Sequence, residues 1–302
     1  MQQFFEYSHE VNQALQLKKP VLALESTIIT HGFPYPHNLE MAKAVEQIVR
    51  DHDVVPATTA IMDGKIKIGL NETELNQLVH DKTVTKASRR DIPFLLQQKL
   101  NAGTTVAAAL FCAYHAGIKI FATGGIGGVH RGNEQDISAD LIELARTPMA
   151  VVCAGAKAIL DLPKTLEFLE TFSIPIIGYR TDTLPAFYTA KTNYPLPARV
   201  DDIKTLAAIL NTHWQLGLSS SMLITNPVPA QDEIPTHVIE PIISHALQKA
   251  NEQQINGKTV TPFLLTEVLH ATSGRSLQAN LSLIKNNVRV GAELARAVCT
   301  QG

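Results

Sequence analysis

The sequence predicts an α/β protein with a mixed, mostly parallel sheet and a helical C-terminal region. Short apolar, β-branched runs alternate with stretches of helical 3,4 spacing through most of the 302-residue chain. Asp63-Gly64 stands between the apolar run 54–62 and the short strand 65–68 as a tight hairpin turn, which places an antiparallel pair in the sheet. Beyond residue 236 only helical periodicity remains.

Taken in order, residues 11–17 form a short helix, and the run 20–25, PVLALE, reads as a buried strand ending in an acid. At that end Glu25 can face a cleft while its strand stays buried; a glutamate there is otherwise simply solvated. Residues 37–52 place Leu39, Ala42, Val45, Ile48 and Val49 at helical spacing. Asn71 caps a helix running to about His80, with Glu72 and Glu74 in its first turn, where the helix dipole favours acids.

Residues 84–91, VTKASRRD, are the most basic patch and precede an apolar helix over 92–100. Lys86, Arg89 and Arg90 beside Ser88 are suited to hold a phosphate, or else form a solvated basic turn. Residues 101–105 end that helix and cap the next, an Ala-rich helix over 106–115. A strand over 118–122 then runs into TGGIGG, where four glycines in six residues allow close approach to an anion or a sharp turn. This run has neither the GxGxxG spacing nor the GK[ST] of a P-loop, so it implies no dinucleotide or nucleoside triphosphate.

His130, Asp136 and Asp140 follow, with a helix over 138–145. The aspartates are spaced i,i+4 and can share a face, or Asp136 lies ahead of the cap, and Ser138 and Asp136 can equally be plain capping groups. One carboxylate with waters and substrate oxygens suits Mg²⁺ or Mn²⁺; a single histidine does not make a zinc site. Residues 149–153 read as a buried strand, and AGAK turns into a helix with Lys157 at the joint. Lysines there are ordinarily on the surface. A Schiff-base lysine must instead shed its proton, from an ordinary value near ~10.4, and burial and a helix N-terminus both push that way.

The chain continues with a helix over 164–172, a strand over 174–179, a long proline-bearing loop through 184–197, a helix over 202–216 and a strand over 222–225 closed by NPVP. Helices are expected over 236–254, 262–271 and 277–298. In the last of these Asn280, Asn286 and Asn287 are poor helix formers, so they face solvent or one of them reaches the site.

With 45% hydrophobic and 18% charged residues and no low-complexity tract, the composition is that of a globular protein, read as one domain over 1–302. A net charge of -2 argues against nucleic-acid or membrane-surface binding. Cys112, Cys153 and Cys299 are widely spaced in apolar surroundings and read as reduced core residues. The N-terminus lacks a secretory leader, and the apolar stretch 106–122 is interrupted by His115 and Lys119, so a cytoplasmic protein is expected.

The segments ALESTI, VTKASRRD, FATGGIGGVHRG, DISADL and VCAGAKAILDL, in this order and spacing, resemble the pseudouridine-5′-phosphate glycosidases, an indigoidine synthase A-like family. The resemblance runs over about 20–298 and includes GYRTDTLPAF, NPVP and TPFLL. It implies a three-layer α/β/α homotrimer that reversibly cleaves the C–C glycosidic bond of pseudouridine 5′-phosphate to uracil and ribose 5-phosphate, with a divalent metal, typically Mn²⁺.

Position by position, it implies that Lys157 is the covalent lysine, Glu25 the proton donor and Asp136 the metal-site aspartate. Ser138, Ala139 and Asp140 match the substrate-contacting segment, and Lys86 and Val106 further substrate-binding positions. The resemblance further implies that Asn280 stands near the site and that His130 neighbours the phosphate. In one departure, only RGNEQ separates His130 from Asp136, where the family carries a slightly longer loop, often with a histidine.

The implied chemistry suits these residues. A C-glycosidic bond has no leaving-group heteroatom to protonate, so the usual two-carboxylate scheme does not serve. Opening the ribose with Glu25 as acid/base exposes C1′ to Lys157, and the iminium then serves as electron sink for the C1′–C5 bond change. The alternatives are a Schiff-base sugar-phosphate aldolase and a non-enzymatic phosphosugar-binding protein.

Overall fold

The computed structural model describes residues 1–255 and 257–301. The N-terminal half contains β1 (Phe5–Tyr7), α1 (His9–Gln16), β2 (Val21–Leu24), α2 (His37–Arg50), β3 (Val55–Met62), β4 (Lys65–Ile68), α3 (Glu72–His80), β5 (Thr85–Ala87), α4 (Ile92–Gln98), β6 (Ala102–Thr104) and α5 (Val106–His115). Then follow β7 (Ile120–Ala122), β8 (Val129–His130), β9 (Asn133–Ile137), α6 (Ala139–Leu144), β10 (Ala150–Cys153), β11 (Leu160–Asp161), α7 (Leu162–Thr171), β12 (Ile176–Tyr179) and β13 (Arg199–Val200). The chain closes with α8 (Ile203–Gln215), β14 (Met222–Thr225), α9 (Thr236–Glu252), α10 (Val260–Ala271) and α11 (Arg275–Gln301).

Seven strands form a parallel core in the order β3-β2-β7-β10-β14-β12-β13. The sheet is mixed because β3 is long: its first half pairs with β2, and its second half pairs antiparallel with β4 and β6. The expected hairpin is present, with Asp63 at φ 50 and Gly64 at φ 76, the left-handed pair that a two-residue turn requires. Helix α11 packs against β2, β7 and β10 and touches α2 and α8, while α5 covers β2, β3 and β4, so the architecture is a three-layer α/β/α sandwich with a helical C-terminal region. Gly291 sets that packing distance, since a Cβ there would meet Leu22 at 3.0 Å and Ala122 at 3.2 Å.

Local signals fixed several elements. Asn71 makes a full capping box with Glu74, and Thr105 caps α5 through the Ala108 amide. Residues 85–87, read as part of a basic patch or turn, and 102–104, read as a helix end and cap, are strands β5 and β6, paired with each other. A buried hydroxyl chain accounts for this: the Thr104 amide donates to Ser26 Oγ at 3.0 Å, its hydroxyl to the Thr59 carbonyl at 2.8 Å, and the Thr59 hydroxyl to the Leu24 carbonyl at 3.1 Å. These partners lie too far off in sequence for local pattern to show them.

Three further expectations are corrected. Asp136 lies in β9, part of a small antiparallel sheet with β8 and β11, so of its two readings the shared helix face with Asp140 falls and the place ahead of the Ser138 cap holds. Lys157 sits in a loop, and the next helix in the chain begins only at Leu162, so it does not stand at a strand-to-helix joint. Cys112 and Cys153 are buried, and burial pushes each thiol up to about 12, but Cys299 is exposed and its thiol points to the Lys18 carbonyl. Among the described residues, no helix is long and apolar enough to cross a membrane.

Candidate active site

Four neighbouring parallel strands, β2, β7, β10 and β14, end side by side and deliver Glu25, Thr123, the loop 154–157 and Asn226 to one edge of the sheet. Past the strand ends the ladder continues between the glycine loop and the lysine loop. The Ala154 amide donates to Gly124 O at 2.9 Å, Ile126 to Gly155 O at 3.1 Å, and Lys157 to Ile126 O at 3.1 Å. Gly155 adopts φ +80 with the Pro185 carbonyl against it, a place no side chain can occupy. The glycine-rich run therefore positions the backbone of Lys157.

Glu25 is only 8% exposed, and the Thr123 hydroxyl donates to its Oε1. Burial raises its carboxyl above the usual carboxylate range; the charge of Lys157, the Thr123 bond and Lys86 oppose this, and Asp140 reinforces it. The acid that could have been a solvated strand end is thus buried beside a lysine.

A cavity of about 530 Å³ is lined by Glu25, Lys86, Val106, His130, Asp136, Ser138, Ala139, Asp140 and Lys157, so nine of the ten residues predicted for the site meet in it. The tenth, Asn280, lines an adjoining narrow arm with Thr123, Phe187, Lys86, Glu25 and Lys157. Asn280 is 8% exposed, and its buried Oδ1 has no hydrogen-bond partner among the described residues. Such an atom costs free energy unless a ligand donates to it. A larger hollow of about 650 Å³ opens around Arg131, Lys191 and Glu240, and none of the ten residues lines it.

Within this group the roles divide. Asp140 accepts the Ala107 amide at 2.9 Å and the Gly127 amide at 2.8 Å, one on each oxygen, so it ties the start of α5 to the glycine loop. Ser138 caps α6 through the Asp140 amide at 3.2 Å. The basic patch splits: Lys86 and Arg90 line the cavity, whereas Arg89 pairs with Glu143 at 2.9 Å and lies over the Phe111 ring. Burial lowers the His130 imidazole from its ordinary range; Asp136 opposes this, and Lys157 and Lys86 add to it.

Sequence reasoning passed over Thr123, Phe187 and Asn226. Thr123 only opened a glycine run, and nothing local marks it as the partner of Glu25. Of the three helical asparagines, Asn286 bonds the Pro227 carbonyl at 3.1 Å, and Asn280 and Asn287 face inward.

Among the described residues, no group of three or more His, Cys, Asp or Glu side chains could hold a metal ion, so an all-protein cage is absent there. The half-buried Asp136 carboxylate on the cavity wall fits the other manner of holding Mg²⁺ or Mn²⁺, one carboxylate with water and substrate oxygens.

The family described as indigoidine synthase A like protein matches residues 10–297. A pseudouridine-5′-phosphate glycosidase of Caldanaerobacter subterraneus subsp. tengcongensis is 54% identical, covering 98% of this chain and 97% of that protein. One of Geobacillus kaustophilus is 56% identical, covering 98% and 99%. In structure, the chain superposes on the prealnumycin C-glycosynthase AlnA, solved in complex with ribulose 5-phosphate, with a TM-score of 0.92 and 38% identity over 99% of this chain and 98% of that one. With the matched motifs converging on one cavity, the chain belongs to the indigoidine synthase A like family.

Proposed function

We propose that the chain reversibly cleaves the C–C glycosidic bond of pseudouridine 5′-phosphate, giving uracil and ribose 5-phosphate. One observation carries the reading: Glu25 and Lys157 open onto the same cavity as Lys86, and its side arm presents the unpartnered Oδ1 of Asn280. The names of the relatives and the pentose phosphate bound by the structural neighbour support it.

The larger space, with Lys86, Arg90 and His130 on its walls, takes the ribose 5-phosphate portion. The narrow arm takes the base, whose N–H donates to Asn280. Glu25, whose carboxyl burial holds above the usual carboxylate range, gives its proton to the ring oxygen as the C1′–O4′ bond opens. The Lys157 amine adds to C1′ and gives up a proton to the Glu25 carboxylate, which leaves a lone pair on its nitrogen. Its lone pair then closes the C1′=N bond as the C1′–C5 pair leaves onto uracil, which takes a proton at C5. Water hydrolyses the iminium and frees ribose 5-phosphate and the lysine. In the reverse direction the iminium is the electrophile that accepts the C5 pair.

Asp136 is the residue that would hold a divalent ion such as Mn²⁺, which would supply positive charge close to the substrate's oxygens. The reading extends to a cytoplasmic homotrimer, which light scattering tests as about three times the 32.9 kDa chain mass.

Borohydride added during incubation with ribose 5-phosphate should leave a reduced pentose phosphate on the peptide bearing Lys157 and none in Lys157→Ala. Uracil release from pseudouridine 5′-phosphate should accompany it. Labelling that persists in Lys157→Ala overturns the lysine assignment. Cleavage of ketose phosphates without uracil release indicates an aldolase, and ribose 5-phosphate binding without either reaction a non-enzymatic binder.

A further inference from the structure

Asn287 is fully buried, and its amide has a partner for each of its groups. Its Nδ2 donates to the carbonyls of Thr123 at 2.9 Å and Gly124 at 3.2 Å, and its Oδ1 accepts from Asn226 Nδ2 at 3.0 Å. Turning the amide over would set its oxygen against two carbonyl oxygens, so this set of partners allows one orientation only. The bonds join three elements that nothing local links: the end of β7, the end of β14 and helix α11.

What the pair grips is the joint on which the chemistry turns. Thr123, held at its carbonyl by Asn287, donates its hydroxyl to Glu25. Gly124 O, held by the same amide, also receives the Ala154 amide, the first rung of the ladder that places Lys157. About two turns earlier on the same helix, Asn280 points into the narrow arm. One rigid helix therefore indexes the base-facing amide, the acid and the lysine against one another.

We propose that the Asn226–Asn287 pair is a positioning device that holds Thr123, and through it Glu25, in reactive register with Lys157. This rests on the function proposed above. Neither asparagine lines the cavity's described wall, so both act through other residues rather than on the substrate.

A positioning role and a merely structural one part in the kinetics. Loosening Thr123 should weaken its bond to Glu25, which favours the ionised carboxylate; the pH limb that reports Glu25 should then move to higher pH. The other charged or titratable groups on Glu25 are Lys157 from the β10 loop, Lys86 from β5 and Asp140 from α6, with His31 on the same wall after β2. None of these is changed by the substitution.

The test uses the full chain with pseudouridine 5′-phosphate as substrate, comparing wild type with Asn287→Ala, Asn226→Ala, the double variant and Asn286→Ala. Asn287→Ala should lower kcat by about tenfold or more with KM little changed, and shift the Glu25 limb upward. Asn226→Ala, which frees only Oδ1 of Asn287, should do the same more weakly, and the double variant should lose less than the product of the single losses. Asn286→Ala, whose bond goes to Pro227 instead, should keep the wild-type limb. The proposal is overturned if the limb stays in place in both single variants, or if their losses multiply independently. Should Asn287→Ala not fold, the Asn226→Ala limb and kcat decide alone. A wild-type protein that releases no uracil refutes the function itself, a result distinct from any of these.

Discussion

Thr123 and Glu25 are each the first residue past adjacent parallel strands, and the threonine hydroxyl donates to the glutamate carboxylate within a buried pocket. The short side chain of threonine matches the strand spacing, so the pair bridges β7 and β2 without a loop between them. This contact sets the acid of the proposed reaction and makes its environment testable.

Because burial holds the Glu25 carboxyl above the usual carboxylate range, its contribution to stability is complete below the unfolded value and is lost as pH rises through the folded one. Gln at this position cannot titrate. Glu25→Gln should therefore abolish turnover, while its Tm relative to wild type improves steadily from acid to neutral pH. A Tm difference independent of pH contradicts the burial argument.

Asn280 carries a buried oxygen with no partner among the described residues, a cost of about 1–3 kcal/mol that a ligand would relieve. Asn280→Leu should keep or raise Tm and weaken substrate binding, with KM rising about tenfold for the loss of roughly 1.4 kcal/mol. Thermal melts and steady-state kinetics on one preparation read both. A lowered Tm with KM intact would show that the amide serves the fold.

Asp140 spends both oxygens on backbone amides, so its first duty is to hold the frame. In Asp140→Asn one amide would meet an NH₂ group, and about 2–4 kcal/mol of stability should go, seen as a lower urea midpoint at unchanged m. Gly127→Ala should act on the same joint, because the added Cβ would fall on the Ser138 side chain and within 2.8 Å of Asp140 Oδ2. Both proteins folded at wild-type stability would remove Asp140 from this role.

Among the described residues no group of three or more possible ligands gathers at Asp136, so a metal held there should bind weakly and be easily removed. Exhaustive chelation should lower uracil release and added Mn²⁺ should restore it, whereas Asp136→Asn should need far more Mn²⁺ for the same rate. An undiminished rate in chelator would leave Asp136 as a substrate contact or a structural residue.

The sequence by itself determined the elements whose signals are local. The hairpin at Asp63-Gly64, the Asn71 capping box, α5 over Val106–His115 and β14 over Met222–Thr225 all follow from neighbours a few residues apart. Motifs in register also pointed to Glu25 and Lys157, because chain order preserves the spacing of strand ends. Tertiary structure alone decided what those residues touch. Thr123 meets Glu25 across 98 positions and Asn287 meets Thr123 across 164, and a side-chain hydrogen bond over such a separation leaves no periodicity to read. It also decided that Asp136 belongs to a strand, that Lys157 rides on a loop rather than a helix, and that Asp140 is taken up by backbone amides. The physical reason is common to all of these: buried polar groups must find partners, and only the packing of the sheet determines which partners come within reach.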